Sequence, residues 1–219
     1  MKTLRHALIV LALGAAMALP VMASRAADSP RPPVVVELFT SQGCSSCPPS
    51  DAFLGELSKR SDVIALAFHV DYWDYIGWAD PFAKPAYTER QRNYSRTLRQ
   101  RYVYTPEMVV DGIGHDSGIG RSAIMELIDQ ARGQAAQRIA VTLSDRGAAG
   151  ISVSVPPMPS SDKLDVWLVT FDPEQKTQVT RGENRGRELI DYNVVRSLTL
   201  LTQWDGSKAA EWTVPAARL

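Results

Sequence analysis

The chain has 219 residues, 24 Lys+Arg against 24 Asp+Glu, 45% hydrophobic residues and two cysteines. That composition excludes a disordered chain, a collagen-like repeat and a coiled coil, and zero formal charge leaves no clustered basic excess for a nucleic-acid backbone. Two cysteines do not build a disulfide scaffold, and length alone leaves open whether there are one or two domains.

Lys2 and Arg5 precede an apolar run from Ala7 to Leu19, followed by Pro20 and small residues at Ala23, Ala26 and Ala27. Basic start, short apolar middle and small-residue end are the plan of an export signal covering residues 1–26, cut after Ala23 or Ala26. The run is shorter than the ~20 residues that cross a bilayer. Residues 1–26 carry three bases (Lys2, Arg5, Arg25) and no acid, so without them 21 bases face 24 acids, a net charge of −3. The expectation is a periplasmic or secreted product with no membrane span, in a compartment where disulfides persist.

Residues 33–137 alternate strand and helix. Val34 to Phe39 reads as a strand buried on both faces. A polar turn, Thr40-Ser41-Gln42-Gly43, leads to a helix from about Cys47 to Lys59 with Pro48 near its first position. Val63 to Val70 is a second strand, and an aromatic loop from Tyr72 to Phe82 enters a helix predicted over Ala83 to Tyr102. Glu107 to Asp111 is a third strand, the glycine-rich stretch after it holds a short fourth, and Arg121 to Gln137 closes the unit as a helix. The order implies a sheet with parallel first strands and helical crossovers. From residue 138 to 219 short alternating runs (Ile139 to Leu143, Ile151 to Val155, Leu164 to Leu168, Val194 to Leu201) predict a separate antiparallel β-rich module.

Cys44-Ser45-Ser46-Cys47 lies where the first strand turns into the first helix. A thiolate at a helix N-terminus is stabilised by unpaired N–H groups and the positive end of the dipole, which lowers cysteine pKa well below 8.5. Cys44, outermost on the turn, is expected to attack, and Cys47 in the first helical turn to resolve the mixed disulfide. A purely structural bridge gains little from so short a loop, about 2 kcal/mol on the chain-entropy formula. Metal is the other alternative: with His69 and His115 the residue types for a copper or zinc site are present, without the close histidine spacing of a zinc finger.

Val34 to Asp51 together with YTPEMVVDG resembles a thioredoxin-like domain, and with HVDYWDYIGWADPF and RGENRGRE the chain resembles an uncharacterised secreted bacterial family, a domain of unknown function, of that superfamily. The resemblance implies an α/β, thioredoxin-like fold with a C-terminal antiparallel β-rich module, Cys44 as nucleophile, Cys47 as resolving thiol, a cis Pro106 facing them, and Thr105 offering backbone groups to a bound peptide. It departs from thioredoxin at Gly43, where a tryptophan is usual, and at Ser45-Ser46, where Gly-Pro is usual, so substrate and redox poise do not transfer.

Glu37, seven residues before Cys44, is the candidate buried acid to accept the resolving thiol's proton, the alternative being a partner for an arginine. His69 ends the second strand beside the cysteines, either tuning the thiolate or hydrogen-bonded to Asp71. Trp73 and Trp78 form a candidate peptide platform, or else a cap on the core. Arg90 to Arg101 reads as a solvated basic face, and Arg181 to Arg187 as an exposed β loop that either docks on the first domain or is a plain turn. These features predict an exported thiol–disulfide oxidoreductase acting on protein or peptide thiols without a cofactor. The rival is a non-catalytic binding protein holding copper or a protein partner through the cysteines and His69.

Overall fold

The computed structural model describes residues 32–134, 138–158 and 163–218; the expected export signal lies outside them. No helix among the described residues is long and apolar enough to cross a membrane.

The run Val34–Thr40 is strand β1, buried on both faces as its uninterrupted apolar sequence requires. It pairs in parallel with β2 (Val63–His69) and antiparallel with β3 (Glu107–Val110), which turns back into β4 (Gly114–Asp116). Side chains alternate along β1. Val34, Val36 and Leu38 meet helix α1 (Pro48–Leu57) through Phe53, Leu54 and Leu57, and helix α3 (Arg121–Gly133) through Ile124, Ile128 and Ala131. Phe39 faces the other way, toward Phe68 and Tyr87 of helix α2 (Pro85–Thr97). This parity later decides which buried acid belongs to the cysteine side.

Helix α2 is shorter than the predicted Ala83 to Tyr102. Lys84 is extended, the conformation favoured before a proline, and Arg99 has a positive φ of 55° just past the helix end. Its basic face is solvated at Arg92, Arg96 and Arg99, whereas Arg90 turns inward.

The largest departure from expectation is the boundary near residue 137. The chain beyond it forms two antiparallel arrangements. One is a three-stranded sheet of β5 (Thr142–Asp145), β6 (Ile151–Val155) and β9 (Ala210–Val214). The other, a long hairpin of β7 (Leu164–Gln178) and β8 (Glu188–Trp204), does not stay in a separate module but extends the first sheet, giving the order β4-β3-β1-β2-β8-β7. Strand β8 runs parallel to β2, with Val194 opposite Ala67. The reason is physical: Ala65 to Phe68 are buried, and an unpaired edge there would expose an apolar strand and its backbone groups. Asn193 Nδ2 donates to Ala65 O at 2.8 Å, and Tyr87 OH donates to Val195 O at 3.1 Å.

The ring of Tyr192 of β8 also packs against α1 at Gly55. A Cβ on Gly55 would stand 2.5 Å from Cε2 and 2.9 Å from Cγ of that ring. Gly55→Ala therefore lowers stability by roughly 1–2 kcal/mol, overpacking outweighing the ~1 kcal/mol gain in helix propensity. Urea unfolding measures the loss, and Tyr192→Ala costs less in the Gly55→Ala background than in the wild type.

Candidate functional site

Beyond Thr40 the chain turns sharply. Cys44 N–H donates to Ser41 O at 3.0 Å, Gly43 N–H donates to Ser41 Oγ at 3.0 Å, and Cys47 O accepts from the amides of Ser50 and Asp51. Cys47 thus caps α1, and Pro48 occupies the position where a missing N–H costs least. Cys44 and Cys47 form a disulfide, their Cα atoms 5.5 Å apart, at the positive end of α1.

Cys44 is not the exposed tip of this turn. Both cysteines are 0% exposed, whereas Ser45 and Ser46 face solvent. The tip of the β7–β8 hairpin, the RGENRGR segment, docks on the turn. Asn184, itself 0% exposed, donates from Nδ2 to Gln42 O at 2.9 Å and to Cys44 O at 3.0 Å, and Ser45 N–H donates to Glu183 Oε2 at 3.1 Å.

Thr105–Pro106 is a cis peptide. Phe39 pairs with Glu107, and one further step of that register sets Pro106 opposite Thr40, at the start of the cysteine turn. The two candidate tryptophans hold this region together. Trp73 Nε1 donates to Thr105 Oγ1 at 2.6 Å, and Trp78 Nε1 to Gln42 Oε1 at 3.1 Å. A Cβ on Gly43 would sit 3.2 Å from Trp73 Cβ, so the residue before Cys44 is small because the aromatic loop packs there. Both indoles point their N–H groups into the frame of the site, and Tyr75 is the aromatic left open to solvent, at 83%.

Glu37 does not serve the cysteines. It lies on the α2 face of the sheet, where Arg90 grips it through Nε (2.5 Å) and Nη2 (2.7 Å) and Tyr94 OH donates to it at 2.8 Å. The carboxyl on the cysteine side is Asp51, four residues after Cys47 on α1, which accepts from Thr40 Oγ1 at 2.7 Å. His69 pairs with Asp80 (Nδ1 to Oδ2, 2.7 Å) rather than with Asp71, which takes the Thr88 hydroxyl instead. His69 Nε2 is buried without a hydrogen-bond partner among the described residues.

Gln42 connects the parts. Its N–H donates to Asp80 Oδ2 at 2.8 Å, and its Nε2 donates to Thr177 Oγ1 at 2.9 Å and to Asp191 Oδ2 at 2.8 Å, both on the hairpin. Gln42, Asp51, Asp80, Asp191 and Asn184 are all buried, and none of them stands out as a site residue in the sequence. A polar residue in a turn carries no signal of which distant segment will cover it.

The buried charges interact. Burial opposes the charge on His69, but ionised Asp80 outweighs it and lifts the imidazole to about 9; Asp80 is likewise pushed up by burial yet held below its ordinary range by the His69 charge and its amide donors. Burial, helped by Asp191, raises Asp51 to about 8 against the opposing Thr40 hydrogen bond, and burial also raises Asp191. The Asp51 contribution to stability is complete below its ordinary 3.8 and is lost as pH climbs toward about 8. That of His69 is complete below 6.5 and lost through about 9. Asp80 acts with the opposite sign, only in the acid range. Stability should therefore fall between pH 6 and pH 9 by roughly 2 kcal/mol or more, and Asp51→Asn should flatten the lower half of that decline in urea titrations at several pH values. A wild-type curve flat across this window would contradict the assignment.

Among the described residues no group of three or more His, Cys, Asp or Glu is arranged to hold a metal ion. No curated protein matches the chain. Two solved structures do. A crystal structure of an Agrobacterium tumefaciens protein is 33% identical, with a TM-score of 0.74, over 84% of this chain and 78% of the other. HBP35 of Porphyromonas gingivalis is 17% identical, with a TM-score of 0.56, over 85% of this chain and 65% of the other, a likeness of fold alone. Residues 35–219, which include the cysteine turn, the aromatic loop and the hairpin that covers them, match the family described as a protein of unknown function, DUF1223, and the chain belongs to that family.

Proposed function

We propose that the chain is an exported thiol–disulfide oxidoreductase that works on protein or peptide thiols through a thioredoxin-like arrangement of β1, α1 and the Thr105–Pro106 segment. The observation that carries the reading is the Cys44–Cys47 disulfide bridging the turn from β1 to the N-terminus of α1. At that position the first-turn N–H groups favour the thiolate that must leave or attack in every exchange step.

In the reducing direction Cys44 thiolate attacks one sulfur of a substrate disulfide, forming a mixed disulfide and releasing the other substrate sulfur as a thiolate. Cys47, after losing its proton, attacks Cys44, which restores the Cys44–Cys47 bond and frees the second substrate thiolate. In the oxidising direction the same steps run backwards, and the substrate leaves with the disulfide. Asp51, rather than Glu37, is the carboxyl suited to exchange a proton with Cys47, accepting it in the fraction that is ionised as pH nears about 8: it is on the cysteine side of the sheet, one helical turn after Cys47, with the Thr40 hydroxyl as its side-chain partner among the described residues. Export rests on the basic, apolar and small-residue pattern of residues 1–26.

Cys44→Ser should abolish exchange with a disulfide-bonded peptide, and Cys47→Ser should accumulate mixed disulfides seen as shifted bands on non-reducing gels. A wild-type protein that neither reduces a peptide disulfide nor oxidises a peptide dithiol sinks the reading.

A further inference from the structure

The bridge proposed to react is wholly buried, and the backbone of the turn that carries it is held by a discrete segment. The tip of the hairpin, residues 179–187, closes on itself: Val179 N–H donates to Arg187 O at 2.9 Å and Gly186 N–H to Val179 O at 2.8 Å. Asn184 Oδ1 accepts from Arg187 Nη1 at 3.1 Å. Gly182 and Gly186 have positive φ values of 71° and 82°, which let so short a segment fold back. Because these bonds are internal, the tip can leave the cysteine turn as a unit; among the described residues the hydrogen bonds it gives up there are those of Asn184 to Gln42 O and Cys44 O and of Ser45 N–H to Glu183, together with the packing of Gly182 on Trp78.

Of these three bonds, the Glu183 bond is the one that carries a charge beside the cysteines. Ser45 N–H lies between the two cysteines, and in the disulfide form neither sulfur carries charge, so a carboxylate is a suitable acceptor for it. Reduction changes this. A dithiol reductant joins its own two sulfurs and gives up two electrons and two protons. The Cys44–Cys47 bond breaks, leaving Cys44 as thiolate and Cys47 as thiol, with the second proton released to water. A Cys44 thiolate then competes for the same N–H groups and repels the Glu183 carboxylate, which is bonded to the N–H of the very next residue.

We propose that residues 179–187 are a redox-gated cover, closed over the Cys44–Cys47 disulfide and released when the pair is reduced. This rests on the pair cycling between disulfide and dithiol, as in the function proposed above. Asn184 is the latch and Glu183 the sensor. The cover shields the bridge from adventitious thiols in the oxidised state and exposes Cys44 to a substrate disulfide in the reduced state.

Hydrogen exchange on the whole protein, with and without excess dithiothreitol and with thiol titration confirming two free thiols, tests the gate. The expected result is faster exchange at Ser45 and across residues 179–187 in the reduced form, by about two- to fivefold, and little difference between the two forms in Glu183→Gln. Asn184→Ala should let a phosphine reductant break the bridge on the order of tenfold faster. Equal protection in both redox states, or wild-type reduction rates in Asn184→Ala with its circular dichroism unchanged, overturns the gate. Because Glu183 is exposed, Glu183→Gln remains informative even if Asn184→Ala fails to fold. Failure of peptide turnover with redox-dependent exchange intact would remove the oxidoreductase reading and leave the gate standing, so the two fail separately.

Discussion

Every hydrogen-bonding group of Gln42 is engaged, and together they tie the turn to two distant parts of the chain, the aromatic loop and the hairpin. Its amide N–H meets Asp80 from the aromatic loop and its carbonyl takes Asn184 from the hairpin tip. Its side-chain oxygen takes Trp78, and its side-chain nitrogen reaches Thr177 and Asp191 on the two hairpin strands. A buried amide left partly unsatisfied costs about 1–3 kcal/mol per group, so this one side chain favours a single arrangement of turn, loop and hairpin. The position of the cysteines follows, because Cys44 is only two residues further on.

That arrangement makes the site a product of both halves of the chain. The first half supplies strand, turn and helix, which suffice to place two cysteines at a helix N-terminus. Cover, and two of the buried polar side chains, come from residues more than 130 positions later. Strand β8 anchors this contribution twice, by extending the sheet beside β2 and by laying Tyr192 on Gly55. The hairpin is therefore part of the site rather than an appended module, and its length is explained by having to reach from the sheet edge to the turn.

What the sequence makes legible is local. The β-branched run before the turn, the proline at the start of α1 and the cysteine spacing each act within a few residues, and the structure has the strand, helix and bridge in those places. What it hides depends on partners far away. In the sequence the acid nearest His69 is Asp71, while folding brings Asp80 to Nδ1 through the aromatic loop. Cys44 reads as exposed because nothing nearby in the sequence covers it, and the side chain that binds its carbonyl lies 140 residues on. The tryptophans read as a platform because a sequence does not say where an indole N–H points. The boundary near residue 137 rests on a change of hydrophobic rhythm, which reports strands but not which sheet they join.

The misplaced acid shows most clearly how topology sorts chemistry. Glu37 and Asp51 are both buried carboxylates within one element of the cysteines, yet the period-two alternation of β1 puts Glu37 on the α2 face, and the helix puts Asp51 on the other. Their partners then differ in kind. Glu37 is held by a guanidinium and a phenol, a bidentate arrangement that fixes β1 to α2 and leaves its oxygens occupied. Asp51 has a hydroxyl, buried surroundings and a second acid nearby, conditions that favour holding a proton and permit giving it up. A carboxyl locked to a permanent cation serves as a strut. A carboxyl whose charge is opposed by its surroundings holds a proton to higher pH, and in this fold that carboxyl lies on the helix that begins at Cys47.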